Sequence, residues 1–183
     1  EEGYGATTVE AISRLADVPP ATVYRLFSSK LGILEALIDV SIAGDDDDVA
    51  MAERPQVRAI LSDENPASQL AAFVDVVVAV NDRIAPIYAI LVGAATTDPE
   101  ASTLLDSLTD QRRRGQRQVV RAMVRSGALC PDLRERDAAD IVHALLSPEL
   151  YRLLVVDRGW AAERYRAWLT ATLQHQLLGT VSP

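Results

Sequence analysis

Apolar positions recur every three or four residues along most of this chain, and runs that alternate between polar and apolar positions are almost absent. Such spacing places apolar side chains on one face of a helix, so the pattern predicts an all-α protein. Near the N-terminus it predicts three short helices, over residues 7–16, 21–27 and 31–43. Pro19 ends the first of them, because proline disfavours the helical conformation at the preceding Val18. The apolar stripe expected on that first helix consists of Val9, Ile12, Leu15 and Ala16.

The rest of the chain has the pattern of longer helices. Residues 67–83 are apolar on nearly every side, which predicts a buried central helix, and Pro86 precedes a shorter helix over residues 87–96. Further helices are predicted from Asp98-Pro99 to Ser126-Gly127, from residue 136 or 137 to 157, and from 160 to 178. Pro148 lies inside the second of these and should kink it.

A sharp change of composition follows the third short helix. Gly44 is succeeded by four aspartates, Asp45 to Asp48. Four carboxylates could bind calcium, but the spaced ligands and turn glycine of a calcium loop are missing, so a solvated linker is favoured. The 183 residues suffice for one good core or two small domains. We therefore predict two domains, over residues 1–43 and 44–183.

The charge distribution is uneven. The chain has a formal net charge of -8, which argues against a general nucleic-acid coat. The stretch from Val18 to Lys30 contains no acidic residue, however, and its only charges are Arg25 and Lys30. A local surface that approaches phosphates therefore remains compatible with an acidic body.

Several classes of protein are disfavoured. Cys130 is the only cysteine, so neither an intrachain disulfide nor a cysteine-based zinc site is possible. No uninterrupted apolar run approaches the roughly 20 residues of a membrane span, and the acidic N-terminus is unlike a secretory signal, so we expect a cytoplasmic protein without a membrane partner. His143 and His175 are the only histidines, and no catalytic triad, phosphate loop or metal-ligand cluster is visible. We expect no enzyme, no catalytic residue, no cofactor and no metal.

The first two short helices and the turn between them have the features of a helix-turn-helix. This unit needs apolar residues where the helices meet, a small residue at the closest contact, and a turn residue that tolerates a left-handed conformation. Ser13 is small enough for the contact, and Asp17 occupies the turn position. The apolar places are filled by Ile12, Ala16, Val18, Val23 and Leu26.

The segment TTVEAISRLADVPPATVYRLFSSKLGILEAL resembles the DNA-binding domain of TetR-type bacterial transcriptional regulators. The positions that match are Gly3-Tyr4, Thr7-Thr8, Ile12, Ala16, Thr22-Val23-Tyr24, Phe27 and Ser29-Lys30. The last two predicted helices are similar, more loosely, to those of actinobacterial-type members. The resemblance implies a dimeric, ligand-responsive repressor of operator DNA. Two departures stand out: Pro19 replaces the serine that usually caps the recognition helix, and the chain starts at the end of the family's first helix, so we expect it to be N-terminally incomplete.

The residues of this segment suit contacts to double-stranded DNA. Thr22 and Tyr24 have hydroxyls for phosphate oxygens, Lys30 a point charge, and Thr8 precedes the free N–H groups of a helix start. Arg25 could read a guanine edge or clamp a phosphate, and both remain open. Pro20 and Ala21 could contact thymine methyl groups. The alternative is that Thr22 and Tyr24 merely face solvent.

The resemblance also implies an effector pocket and a dimer interface in the C-terminal domain. The pocket would involve Phe73, Val77, Asn81, Tyr88, Leu91, Met123 and His143. Most of these could equally be ordinary core, and His143 a satisfied interior histidine. Few polar residues converge there, which favours a hydrophobic or aromatic effector. The dimer interface would involve Leu153, Tyr165, Trp168, Leu169, Leu173 and Leu177, unless these residues pack within one subunit.

The arginine-rich stretch around Arg112-Arg113-Arg114 could be a second nucleic-acid site. Asp106 and Asp110 precede it at the spacing of helical ion pairs, which favours a solvated face. The function that the sequence favours is thus a repressor released from its operator by a small hydrophobic effector. The alternatives are a dimeric small-molecule binding protein without operator binding and a helical enzyme.

Overall fold

The computed structural model describes residues 3–44 and 53–178, and throughout these ranges the regular structure is helical. In chain order the helices are α1 (Gly3–Ala6), α2 (Val9–Ala16), α3 (Pro20–Phe27), α4 (Lys30–Ala43), α5 (Pro55–Ser62), α6 (Pro66–Ala95), α7 (Pro99–Ser126), α8 (Glu135–Leu145), α9 (Pro148–Tyr151), a π-helical segment (Arg152–Asp157) and α10 (Ala162–Leu178). The all-α prediction is confirmed. The aspartates at 45–48, and with them the calcium alternative, lie outside the described residues.

The turn between α2 and α3 has the predicted geometry. Asp17 adopts a left-handed conformation with φ of 53°, which an aspartate tolerates better than most side chains. The amide of Val18 donates to the carbonyl of Ser13 over 3.0 Å and thereby closes the end of α2. Ser13 is only 2% exposed, as expected for the residue at the closest contact of the two helices. The local geometry of a helix-turn-helix is therefore present.

The expected apolar stripe on α2 is only half right. Val9 is buried and Ile12 half-buried, but Leu15 is 89% exposed and Ala16 is exposed as well. On α3, Leu26 is 62% exposed although it was placed at a helix contact. Helix α2 is rotated about its axis relative to the orientation expected from the sequence. Its inward face contains Val9 and Ser13, which are four residues apart and therefore share a face, and Leu15 lies on the outer side.

Helix α4 joins the N-terminal helices to the rest of the molecule. At its start, Ser29 caps the helix by accepting a hydrogen bond from the amide of Gly32 over 3.0 Å. A Cβ atom at Gly32 would lie 2.0 Å from the carbonyl oxygen of Phe27, so only glycine allows α3 and α4 to approach this closely. At its other end, Arg83 of α6 donates to the carbonyls of Ser41 and Ile42 over 2.7 and 3.1 Å.

Helix α6 is a single helix of 30 residues, so the separation predicted at Pro86 is wrong. Pro86 is exposed, and tertiary packing on both sides of it keeps the helix continuous despite the lost backbone hydrogen bond. By length and composition, α6 is the one helix in the described ranges that could cross a membrane. That is weak evidence, because eleven residues along α6 are buried by other parts of the chain.

The helix predicted through Pro148 is broken rather than kinked. α8 ends at Leu145, and Ser147 starts α9 by accepting a hydrogen bond from the amide of Leu150 over 3.2 Å. Pro148 is the first residue of α9, where its missing N–H has no intrahelical partner to lose. The chain then passes directly into the π-helical segment.

Two groups of buried apolar side chains hold the described helices together. The larger draws on α5 to α10 and the smaller joins α4 to α6 and α7. The smaller group contains Leu34 and Ile38 of α4 beside Leu91, Ala94 and Ala101. Helix α4 therefore shares a core with the helices beyond residue 44, while the division into two domains stays a prediction.

Candidate DNA-binding surface and effector cavity

Helix α3 presents one open face. Pro20, Ala21, Tyr24 and Arg25 are exposed along it, while Val23 on the opposite side is 6% exposed and packs inward. Thr22 is half-buried and therefore less available than its neighbours. Pro19 makes no side-chain cap at the start of this helix, as predicted, because its side chain cannot form a hydrogen bond. The exposed set combines a hydroxyl, a guanidinium and two small apolar groups.

Tyr24 has a partner on the neighbouring helix. Its hydroxyl donates to a carboxylate oxygen of Glu10 in α2 over 3.3 Å. The negative charge of Glu10 raises the pKa of Tyr24 above its ordinary value, so the phenol is protonated at neutral pH. A phosphate oxygen that accepts this hydrogen bond must therefore replace Glu10.

Thr8 and Lys30 bond within the N-terminal helices. The hydroxyl of Thr8 caps α2 by accepting from the amide of Ala11 over 3.1 Å. The ammonium of Lys30 donates to the carbonyls of Tyr4 and Thr7, over 2.5 and 2.9 Å, and lies 4.0 Å from the centre of the Tyr4 ring. Lys30 thus ties the start of α4 to α1 and α2, in place of the free point charge expected from the sequence.

Two exposed arginines of the arginine-rich stretch of α7 form ion pairs with neighbouring acidic residues. Arg113 pairs with Asp110 over 2.6 Å, as the helical spacing predicted, and Arg121 pairs with Glu135 over 3.4 Å. Both pairs are exposed and contribute little to stability. They support the solvated-face interpretation of these arginines.

A cavity of about 210 Å³ lies between α4, α5, α6, α7 and the start of α9. Four of the predicted pocket residues line it: Phe73, Val77, Asn81 and Tyr88. The other three do not. Leu91 and Met123 are fully buried in the two cores, and His143 lies behind the wall. Ile38 and Ile42 of α4 also line the cavity, so the helix that supports α3 forms part of its wall.

The wall on α7 is more polar than the sequence suggested. Arg112 and Gln116 both line the cavity, together with Thr109, Gln111 and Gln118. The cavity as a whole is lined mainly by apolar surface, as expected, and its polar groups are concentrated on the face of α7 that turns inward, which the one-dimensional pattern did not show. The spacing of Arg112 and Gln116, four residues apart, could have indicated that they share a face.

His143 supports this wall from α8. Its Nδ1 lies 2.9 Å from Oε1 of Gln116 and donates to it in the Nδ1–H tautomer. Burial, followed by the positive charges of Arg112 and Arg113, lowers the pKa of His143 below its ordinary value. The imidazole is therefore neutral at pH 7 and orients the amide of Gln116.

Most of the predicted dimer residues are in the core of the single chain. Four of them have no exposed surface in the single chain, which favours the alternative that they pack within one subunit: Tyr165, Leu169, Leu173 and Leu177. The aromatic residues that suggested an interface pack on each other instead. The ring centres of Trp160 and Trp168 are 5.8 Å apart, and those of Tyr165 and Trp168 5.9 Å. Leu153, in the π-helical segment, is 47% exposed and remains a candidate contact.

The fold and the open face of α3 define an all-α protein with an N-terminal helix-turn-helix domain. Residues 1–37 match the family model described as bacterial regulatory proteins, tetR family. No curated protein matches the sequence. Among solved structures, the chain is similar to a TetR family transcriptional regulator, PfmR, from Thermus thermophilus, with a TM-score of 0.62, 19% identity, and coverage of 100% of this chain and 90% of that one.

At this identity the structural likeness shows the fold of the chain. The family match is confined to residues 1–37, which are similar to the N-terminal domain of the tetR family of bacterial regulatory proteins. The actinobacterial subtype and the incomplete N-terminus stay predictions.

Proposed function

We propose that this chain is a TetR-type DNA-binding transcriptional regulator and not an enzyme, a cytoplasmic homodimeric repressor that leaves its operator when a small effector occupies the cavity. The observation that carries the proposal is the path from the cavity to α3. Ile38 and Ile42 of α4 line the cavity, and Gly32 at the other end of α4 lies against Phe27, the last residue of α3. A ligand that moves α4 therefore moves the helix that would enter the DNA.

The DNA contacts proposed are those of the exposed face of α3. Arg25 is the candidate for reading a base edge, because a guanidinium matches the two acceptors of guanine. Tyr24 and Thr22 supply hydroxyls for phosphates, and Pro20 and Ala21 supply apolar contact. Thr8 takes part through the start of α2 rather than through its own hydroxyl, which is already bonded to Ala11.

Two copies are required for operator recognition of this kind. Paired recognition helices enter successive major grooves about 34–36 Å apart, which a dimer achieves by symmetry. An effector releases the DNA only if it binds one spacing of the helices better than the other, and a near-complete switch needs a preference of ~10⁴-fold. The exposed Leu153 and the partly exposed Trp168 are the remaining predicted contacts between the copies.

The test is a fluorescence-anisotropy titration of the full chain against the DNA upstream of its own and neighbouring genes. Arg25→Ala should weaken binding to any fragment that the unmodified chain binds by about 10- to 100-fold, since a bidentate base contact contributes about 1–3 kcal/mol. Arg58→Ala, which removes an exposed arginine from α5, is the matched control and should bind as the unmodified chain does.

The results separate the alternatives. Equal weakening by both substitutions would mean that charge alone drives binding and that α3 does not read the sequence. If no fragment binds at moderate salt while small molecules still enter the cavity, the chain is a small-molecule binding protein without an operator. Sedimentation of the free chain at the same concentrations measures whether it is a dimer.

A further inference from the structure

Two hydrogen-bond donors on the cavity wall have no partner within the part of the chain that the structure describes. Nε of Arg112 and Nε2 of Gln116 are both buried and unbonded, although both residues line the cavity. They lie four residues apart on α7, so the side chains are neighbours on one helix face. Buried polar groups are nearly always bonded, and two unmet donors at one wall therefore require an explanation.

The acceptors nearby are already committed or too distant. Glu149 is the acid that pairs with Arg112, but its carboxylate oxygen is 3.8 Å from Nη1, which is beyond hydrogen-bond distance. The other oxygen of Glu149 accepts from the hydroxyl of Tyr88 over 2.9 Å. On Gln116, the amide oxygen accepts from His143, and this contact leaves the amide nitrogen without a partner among the described residues.

The unmet groups are all of one kind. Both are N–H donors, and the guanidinium of Arg112 keeps its positive charge at any physiological pH. A ligand that completes this wall must supply acceptor atoms, and an anionic acceptor bonds a charged donor more strongly than a neutral one. A carboxylate has two oxygens and can accept from both residues at once.

The rest of the cavity is suited to hydrocarbon. Its other walls include Phe73, Val76, Val77, Val80 and Ile84 of α6. The cavity volume of about 210 Å³ limits the ligand to a small molecule. Because the polar wall lies on α7 and the apolar walls on α6, a ligand with one polar end fits better than one that is polar throughout.

We propose that the effector of this cavity is a small apolar monocarboxylate, bound by the guanidinium of Arg112 and the amide of Gln116 with its hydrocarbon part against α6. The proposal rests on the proposed function, because it identifies the class of effector for the same cavity. It adds a carboxylate group to the small hydrophobic or aromatic effector expected from the sequence.

Calorimetric titration with matched pairs of probes tests the proposal. Octanoate is compared with octanamide, and 4-propylbenzoate with 4-propylbenzamide, so that each pair differs only in the charged group. The better of the two carboxylates should bind at least about tenfold more tightly than its amide. Arg112→Gln should abolish this preference, while Arg114→Gln, which removes an exposed arginine of the same helix, should preserve it.

Two further variants keep the test decisive if Arg112→Gln lowers the amount of folded protein. Gln116→Leu should weaken carboxylate binding and leave amide binding within about twofold. Glu149→Gln should strengthen carboxylate binding, because it removes a like charge from the vicinity of Arg112 while retaining an acceptor for Tyr88. The far-ultraviolet circular dichroism of each variant shows whether it is folded.

The possible outcomes separate this proposal from the proposed function. Amides that bind as tightly as the acids, or a failure of every probe to bind, would overturn the carboxylate assignment, whatever the DNA titration shows. Carboxylates that bind through Arg112 but leave DNA affinity unchanged would support the assignment and overturn the role of the cavity as the release switch.

Discussion

The exposed face of α3 and the wall of the cavity on α7 are built in opposite ways. On α3, Tyr24 and Arg25 are exposed to solvent, and the bond of Tyr24 to Glu10 is exposed as well. On α7, Gln116 is buried and Arg112 is partly buried, and each has one buried donor without a partner in the described ranges. A surface that binds a large polyanion can stay hydrated until it binds, whereas an enclosed site must hold its polar groups ready in the absence of ligand.

The difference also affects what each region contributes to stability. Exposed side chains on α3 can be replaced with little effect on folding, because water solvates what remains. The cavity is bordered by core, and Val119 both lines it and belongs to the larger buried group. Substitutions of core residues near the cavity should therefore affect stability more than binding. Substitutions on the exposed face of α3 should affect DNA binding more than stability.

The largest expected effect concerns the core behind the cavity. Leu169→Ala should lower the free energy of unfolding by about 3 kcal/mol, because Leu169 is fully buried and its truncation leaves a void. Leu153→Ala, at a residue that is 47% exposed, should change it by less than about 0.5 kcal/mol. Urea denaturation of both variants measures this, at a protein concentration where the association state is constant.

A reversal of these two results would return Leu169 to the dimer interface. In that case the unfolding of the unmodified chain would depend on protein concentration, and Leu169→Ala would weaken or remove that dependence. Sedimentation of the folded variants provides the independent measurement.

The next effect concerns the junction that links the two regions. Gly32→Ala would place a methyl group 2.0 Å from the backbone oxygen of Phe27, so α3 and α4 must separate. We expect a loss of stability of about 1–3 kcal/mol and a loss of DNA binding, while probe binding in the cavity is retained. Thermal unfolding, DNA titration and calorimetry on one preparation measure the three quantities.

Gly93→Ala is the matched control for this substitution. Gly93 lies inside α6 with open space around it, and alanine there should stabilise the helix by about 0.5–1 kcal/mol. Unchanged DNA binding by Gly32→Ala would show that α3 does not depend on its close contact with α4.

The smallest effect is a pH dependence at the cavity wall. His143 has a pKa in the folded state below its ordinary value of 6.5, so the unfolded chain takes up the proton first as the pH falls. The contribution of neutral His143 to the free energy of unfolding is therefore fully present at neutral pH. It is lost as the pH falls through about 6.5 toward the lowered pKa. Between pH 7.5 and 5.5 the midpoint temperature should fall by about 1 °C more in the unmodified chain than in His143→Gln.

Parallel curves for the two proteins would contradict the environment described for His143. No comparable effect is expected from substitutions on α3 in this pH range. The raised pKa of Tyr24 keeps its hydroxyl protonated throughout. The two regions should thus differ in pH response as they differ in burial.

Much of the N-terminal region could be predicted from the sequence because its geometry is local. The left-handed turn at Asp17, the burial of Ser13 and the proline start of α3 each depend on a few adjacent residues. Where the prediction was wrong, contacts from distant residues decided the outcome. Lys30 bonds to carbonyls more than twenty residues away, and this removes it from the set of free charges.

The sequence by itself determined that the chain is helical, where the helix-turn-helix lies, and that α3 presents Tyr24 and Arg25, because these follow from helical period and from residues close in the chain. Only the tertiary structure decided that α6 continues through Pro86, that Leu169 belongs to the core, and that Arg112 and Gln116 face a cavity. Which face of a helix is covered depends on partners that are remote in sequence, and an amphipathic pattern does not name them.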